Sequence, residues 1–592
     1  MMVSVISRIL ETAVMFLSGI YFGFIQDFNV LELLLAGVVF WLAARGALPA
    51  LAVVGRFEAL LLRFRRRRWL PLLSFAVAAI ALRLLLLPVL PAPKPVVTDE
   101  FSHLLLADTL LHGRLANPTH PFWMHFESLH IIQRPSYVSN YFPGHAMVLA
   151  AAIWLTGNPW VGVLALSGAF SAALFWMLRG WFTTRWAAFG TLLAILRFGL
   201  ASYWINGHHG GFLAAIGGAL IAGAYPRLRQ KVRLKYSLLF GCGCCLLLLT
   251  RPFEGAFFAG ATLVCLLAER RIRPCLHNLM KLAAPIILLV AITAAGLGFY
   301  FSRVTGSPFV TAYAISQQTY GWPMALAWVS PKPVVLRHVE LQRYYDYELA
   351  EHEKVDGPAH FLGYSTLRVE EYWRFYLGPF LSLTLLGFPG VWRTPRYCPL
   401  IFGAGAALLA VSLEGASSPH YLAPAAACLV ALIVACCREL CLRPKYHIHM
   451  GIFLRRAAPL VMLLVLGLRI TAQTAGLPYT QFVNYQSWCC KVQGNYNKAR
   501  ITSLLQQTPG THLVFVKTKL DEMNLFQWVY NGADIDGAKI VWARDLGPEQ
   551  NEKLRSYFAN RRIWVVDPNL EPSTVTQYPE KWAPVPLRTA AR

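Results

Sequence analysis

Runs of about 20 apolar residues recur along this chain, and arginine clusters punctuate them. Leu70–Leu90 is one such run and Leu282–Phe301 is another. Each is long enough to cross about 30 Å of hydrocarbon as a helix. Lipid allows only helices or closed barrels to span it, because every backbone N–H and C=O must find its partner inside the protein. A barrel would show segments of about ten residues that alternate apolar and polar, and these runs do not alternate. The expected class is therefore an all-α polytopic membrane protein. Composition agrees: 56% of the 592 residues are hydrophobic, 14% are charged, and mean hydropathy is +0.46. A soluble domain carries roughly 25% charged residues.

The net charge of +24 would suggest nucleic acid in a soluble protein. Here the charges read as cytoplasmic anchors beside anionic lipid, with no nucleic-acid partner. The clusters are Arg63–Arg68, Arg179 with Arg185, Arg227–Lys235, Glu269–Arg273, Arg393–Arg396 and Arg438–Lys445. Placing each on the cytoplasmic side requires two crossings between neighbours. That gives about thirteen helices: 9–26, 30–54, 70–90, 160–178, 187–205, 210–225, 237–250, 253–268, 281–301, 376–392, 398–413, 420–437 and 452–470. The short run Phe142–Leu155 reads as interfacial or re-entrant, since a full span there would put Arg179 and Arg185 outside. The N-terminus is expected in the cytoplasm, as a retained helix rather than a cleaved signal.

Three divisions follow: a hairpin over 1–69, a membrane domain over 70–470 with long outer segments near 91–159 and 302–375, and a soluble tail over 471–592. The tail reads as a small extracytoplasmic α/β domain. Strands are expected at His512–Lys517, Lys539–Ala543 and Arg561–Pro568, with a helix at Pro548–Asn560. It has no glycine-rich phosphate fingerprint. Of the 12 cysteines, ten lie in or beside predicted membrane helices and read as small core residues; no CxxC pair has zinc-site spacing.

With this orientation the unusual polar motifs all fall on the outer side. Asp99–Glu100 heads a helix behind Thr98, which is placed to cap it. Adjacent helical residues point about 100° apart, so one carboxylate can cap or hold a cation while the other faces a substrate as general base. Phe101, Leu104, Leu105 and Leu111 give that helix an apolar side suited to an interface. The NGHHGG stretch offers Asn206, His208 and His209 for a metal, a phosphate or simple packing. Arg251 and Glu254 flank a helix break at Pro252; they can pair with each other, or Arg251 can take a lipid phosphate in its fork of donors. Arg197 lies inside a predicted span, where an ionisable group costs roughly 2.5–3.5 kcal/mol. His420–Tyr421 opens a late helix, whose N-terminus favours anions. Tyr344, Tyr345, Tyr347, Tyr372 and Trp373 can stack on sugar or line the interface.

The stretches DEFSHLLLADT (Asp99–Thr109), HGRLANPTHP (His112–Pro121), YFPGH (Tyr141–His145), NGHHGG and PHYLAP (Pro419–Pro424) together resemble the GT-C class of integral-membrane glycosyltransferases. The likeness is to bacterial relatives of protein O-mannosyltransferases and of the lipid A aminoarabinose transferase, over about residues 70–470. The resemblance implies transfer of a sugar from a polyprenyl-phosphate carrier to a glycan, lipid or protein acceptor outside the bacterial inner membrane, with inversion. It maps the base onto Asp99 and a supporting or cation-holding acid onto Glu100. Arg251, Arg197, His420 and Tyr421 are candidates for the donor phosphate; His103, His208, His209, Asn206 and Glu254 are candidates for substrate or metal. The second short outer loop lacks the further acid that relatives often carry. A cation held by Glu100 with His208 would be magnesium with oxygen ligands, or manganese or zinc with histidine. An O-antigen polymerase or ligase, which would use loop arginines and histidines, and a secondary transporter, with charges near the midplane in repeated halves, are the alternatives.

Overall fold

The computed structural model describes residues 29–44, 69–269, 276–324, 326–353, 358–442, 448–475, 486–490, 494–518, 528–570 and 572–578. It is mostly helical. Five described helices are long and apolar enough to cross a membrane: Trp160–Trp181, Leu276–Thr305, Pro395–Leu413, Ala423–Leu442 and Gly451–Ala472. A sixth candidate is broken, because Arg368–Tyr376 and Gly378–Trp392 meet at 86°. Shorter apolar helices, Leu70–Leu85, Gly144–Thr156, Leu234–Leu248 and Pro252–Leu267, fill in between. The molecule is a multi-pass membrane protein. The expected helix at 9–26 and the Arg63–Arg68 cluster lie outside the described residues.

Two expected spans are interrupted. The one placed at 187–205 is the helix Thr184–Ala194, which passes into a π turn at Ile195–Gly199 and then into irregular chain up to Gly211. The polar NGHHGG sequence cannot continue an apolar span, and the wider turn swings Arg197 off the helix axis. The one placed at 376–392 breaks at Gly378, whose φ of +68° is natural only to glycine.

The ends of the bundle differ in chemistry. At one end the basic clusters meet aromatic rings and acids. The Arg227 guanidinium lies 4.1 Å from the Trp176 ring centre, the Tyr225 hydroxyl donates to Glu269 at 2.7 Å, and Arg438 donates to the Tyr397 hydroxyl at 2.7 Å. At the other end lie the acidic-pair helix Thr98–Leu111, the NGHHGG turn, Arg251 and His420, held together by the contacts described below.

The C-terminal residues form a four-stranded sheet in the order Ile540–Arg544, His512–Val516, Arg562–Asp567, Thr574–Gln577. The first three strands are parallel and the last antiparallel. The two strands Ile540–Arg544 and His512–Val516 are buried along their whole length, as a covered parallel sheet requires. One side of the sheet shares a core with Leu105, Phe126, Ile131 and Tyr137 of the 91–159 segment. The apolar side of the acidic-pair helix therefore meets protein: Leu105 packs toward the sheet, while Leu106 joins Ile132, Val138 and Leu297 on the other side.

Candidate active site

The helix Thr98–Leu111 starts one residue earlier than a Thr98 cap would allow. Val97 is the N-cap, and Glu100 does the capping. The Glu100 Oε2 accepts the backbone N–H groups of Val96 at 2.8 Å and Val97 at 3.2 Å. Its Oε1 accepts the N–H of His208 at 2.8 Å and lies 3.3 Å from His208 Nδ1. Glu100 is fully buried. It ties the head of the helix to the NGHHGG turn, satisfying donors that would otherwise be orphaned.

Asp99, one residue earlier, faces elsewhere. Its Oδ1 accepts the Tyr141 hydroxyl and lies 2.9 Å from His130 Nδ1, and the side chain is 31% exposed. Burial pushes this carboxyl up, but the His130 imidazole, aided by His209 and the Tyr141 hydroxyl, holds it well below the usual carboxylate range. Asp99 is an anion at any physiological pH.

From Asp99 the contacts run ring to ring. Tyr141 stacks on His103 at 4.8 Å, and His103 meets His145 edge-on at 5.1 Å. His145 Nε2 donates to the carbonyl of His208 at 2.7 Å. The YFPGH turn can sit this close because Gly144 donates to the Leu249 carbonyl at 2.9 Å, and a Cβ there would come within 2.7 Å of that oxygen. His209 meets His420 at 5.4 Å, His420 meets Tyr421 at 4.9 Å, and the Arg251 guanidinium lies 3.9 Å above the Tyr421 ring centre. Arg251 also pairs with Glu254 at 3.3 Å, with its side chain 23% exposed and that of Glu254 buried. Burial opposes the charge on Arg251, but Glu254, Tyr421, Glu414 and Tyr141 outweigh it and raise its pKa. Burial, together with Arg251 and His209, pushes His420 well below the ordinary imidazole range, so its ring is neutral. His420 lies in a turn ahead of the helix Ala426–Leu442, with Tyr203 as its partner: the Tyr203 hydroxyl accepts the His420 N–H at 2.8 Å and lies 3.0 Å from Nδ1.

Two candidates are used differently. Arg197 donates through Nε to the Phe375 carbonyl at 2.8 Å and through Nη2 to that of Arg374, and it lies over the Trp488 ring at 4.2 Å. It pins the broken span at its bend. Asn206 accepts from Arg83 at 2.7 Å. Of the aromatic residues, Tyr344, Tyr345 and Tyr372 are buried and Tyr347 is 38% exposed.

The cation expected on Glu100 and His208 does not fit their geometry. Both Glu100 oxygens are taken up by N–H donors, and the His208 ring lies against the same oxygen. Among the described residues, no group of three or more His, Cys, Asp and Glu side chains is arranged to hold a metal ion.

Four residues at this end carry weight that sequence reasoning did not assign: His130, Tyr141, Tyr203 and Arg83. Arg83 is fully buried, donates to the Leu90 and Pro91 carbonyls at 2.9 and 3.2 Å, and lies 4.8 Å from the Trp160 ring centre. As an ionisable residue within an apolar run it carried the same signal as Arg197. Tyr141 lay inside a noted motif; nothing in the sequence singles out His130 or Tyr203.

No family model matches the sequence, and no curated protein matches it. Among solved structures, the chain is similar to ArnT from Cupriavidus metallidurans bound to undecaprenyl phosphate. Identity is 14%, the match covers 84% of this chain and 93% of that one, and the TM-score is 0.48. It is also similar to the Archaeoglobus fulgidus oligosaccharyltransferase AglB in complex with an inhibitory peptide and a dolichol-phosphate, at 13% identity over 85% of this chain and 70% of that one, with a TM-score of 0.42. A complex of the Archaeoglobus fulgidus oligosaccharyltransferase with Zn and sulfate gives 13% identity, 84% and 67% coverage, and a TM-score of 0.45.

Proposed function

We propose that this protein is a glycosyltransferase that moves a sugar from a polyprenyl-phosphate carrier to an acceptor at the extracytoplasmic face of the bacterial inner membrane. The observation that carries the reading is the pairing of opposite, partly exposed charges at one end of the bundle. The Asp99 carboxylate and the Arg251 guanidinium are linked through histidine and tyrosine rings and the His208–His209 backbone, and Arg251 heads the apolar helix Pro252–Leu267. A lipid-linked donor needs this combination: hydrocarbon beside the site for the tail, a fixed cation for the phosphate, and an anion for the incoming nucleophile. A transporter's charges would instead sit near the midplane of repeated halves.

In this reading the acceptor O–H gives its proton to Asp99 as the oxygen attacks the anomeric carbon. The carbon–oxygen bond to phosphate breaks, the electron pair leaves with the phosphate, and configuration inverts. Arg251, with its Nη1 toward Glu254 and its face on Tyr421, offers its remaining donors to the leaving phosphate. Neutral His420 and His103 can donate to the same oxygens without adding charge. Glu100 is the strut that holds Asp99 in place.

The test is transfer of label from a radiolabelled polyprenyl-phosphate sugar, with purified protein in membranes. Asp99→Asn is expected to lower the rate about 10³-fold with folding and donor binding largely intact. Wild-type rates in that variant overturn the base assignment. Solute uptake into liposomes without label transfer overturns the reading as a whole.

A further inference from the structure

The residue behind Asp99 is held in an unusual way. His130 is the only non-glycine residue with positive φ among the described residues, at +60°. An L side chain rarely adopts that conformation, and where it does the surroundings must impose it. Here they do: the His130 carbonyl accepts the Ser102 hydroxyl at 2.7 Å and the Asn140 N–H at 3.1 Å. The turn aims Nδ1 back at the acidic-pair helix, 2.9 Å from Asp99 Oδ1 and 2.9 Å from Thr98 Oγ1. A carboxylate only accepts, so Nδ1 carries the proton in this contact.

A second acid stands beside the aromatic neighbour of the imidazole, on a different part of the chain. Glu348 lies on the helix Val339–Glu353 of the 302–375 segment and is buried. Its Oε2 accepts the Met324 N–H at 3.3 Å, and it stands one helical turn from Tyr344. The Tyr344 ring meets the His130 ring edge-on at 6.2 Å. The groups facing His130 are thus Thr98 and Asp99 from the acidic-pair helix, Tyr141 from its own segment, and Tyr344 and Glu348 from the other segment. Both charged members are acids.

We propose that His130 is a positioning residue: an imidazolium held on Asp99 with the Tyr344 ring of the other segment against it, which fixes the Asp99 carboxylate in its working orientation only when the 91–159 and 302–375 segments are seated together. This rests on the transferase reading for its kinetic arm and on geometry alone for its chemical arm. Burial lowers the pKa of His130, but the two carboxylates outweigh it and raise it above the ordinary imidazole value. The imidazolium is therefore complete below about pH 6.5 and is lost as pH rises through the raised value.

The chemical arm uses diethyl pyrocarbonate, which acylates only neutral imidazole, with modification of His130 followed by peptide mass spectrometry. The wild-type midpoint is expected above the ordinary imidazole range. Asp99→Asn should lower it, to or below the ordinary imidazole range, because burial is then no longer offset by that carboxylate, and Glu348→Gln should lower it by less. An ordinary wild-type midpoint, or one unmoved by Asp99→Asn, overturns the clamp.

The kinetic arm uses two variants that both tolerate the left-handed backbone. His130→Gly keeps the turn alone, while His130→Asn also keeps a side-chain donor. The rate of sugar transfer should fall about 10²-fold in the glycine variant and recover part of that in the asparagine variant, with KM for the lipid donor unchanged. The alkaline decline of the wild-type pH profile should vanish in His130→Asn. If it persists there, or if His130→Gly transfers sugar at the wild-type rate, the positioning role is wrong. If wild type transfers no sugar at all, the transferase reading fails while the acylation midpoints still decide the clamp.

Discussion

Two clusters of charge are built from the same parts and have different fates. At one, Asp99 and Arg251 are joined through tyrosine and histidine rings, and both side chains keep part of their surface open. At the other, Glu32 pairs with Arg469 at 3.5 Å, and Arg469 and Arg197 both lie over Trp488, at 4.8 and 4.2 Å. There every one of these charges is buried, and Arg197 is directed at backbone carbonyls. The first cluster can still accept a ligand; the second fastens the Asn29–Ala44 helix, the broken span and the Gly451–Ala472 span to one another. An arginine and an acid beside aromatic rings therefore do not make a site. Donors left over after the fold is satisfied do.

The largest effect should come from breaking the closed cluster. Glu32→Leu leaves Arg469 buried without its carboxylate, which costs about 3–5 kcal/mol in comparable cases. The melting temperature in detergent should drop steeply, and Glu32→Leu combined with Arg469→Leu should recover much of it. An unchanged melt in the single variant would erase the distinction between the clusters.

Next comes the contrast between adjacent acids. Glu100→Gln replaces one accepting oxygen with an N–H₂ group and leaves buried N–H donors of Val96, Val97 or His208 unsatisfied, at about 1–3 kcal/mol. Its melting temperature should fall further than that of Asp99→Asn, where the native carboxylate is partly exposed. Equal stability losses in the two variants would merge their roles.

The two arginines sharpen the comparison further. Arg251→Gln should raise KM for the lipid donor about tenfold, about 1.4 kcal/mol. Arg197→Gln should lower stability and leave KM alone. A reversed pattern would move the phosphate subsite to the bend at Arg197.

A further test concerns a charge with neither fate. Lys498 is buried against the rings of Phe101, Trp542 and Tyr530, at 4.5, 5.3 and 5.6 Å, and among the described residues its amine has no hydrogen-bond partner. Burial pushes it down to about 7. The unfolded chain holds that proton up to about pH 10.5, so the folding penalty grows as pH falls from there toward 7 and is constant below. Lys498→Met should raise the melting temperature most below pH 7 and hardly at all above 10.5. A uniform gain at every pH would place the effect in packing rather than charge.

Much of the helical frame was legible. The expected helix at 398–413 has those bounds, and strands and a helix occupy the tail stretches where composition changes. Apolar length and alternation are local properties, so a single stretch reveals them. The broken spans were harder to read. Gly378 and the π turn at Ile195–Gly199 leave no mark in apolar length or alternation. The site was legible in its motifs and not in their use. Asp99, Glu100, His208, His209, Arg251 and His420 stand at one end of the bundle, but the cap assigned to Thr98 belongs to Glu100, and Arg197 serves the bend.

The sequence by itself determined that this chain crosses a membrane, because the cost of unpaired backbone in lipid makes long apolar runs helical whatever surrounds them. It also determined which residues carry chemistry, since side-chain type is local. Only the tertiary structure decided which carboxylate closes a helix end and which stays open, and which arginine braces the fold. Those choices depend on where donors and acceptors distant in sequence meet, and a buried polar group must take whatever partner lies within about 3 Å.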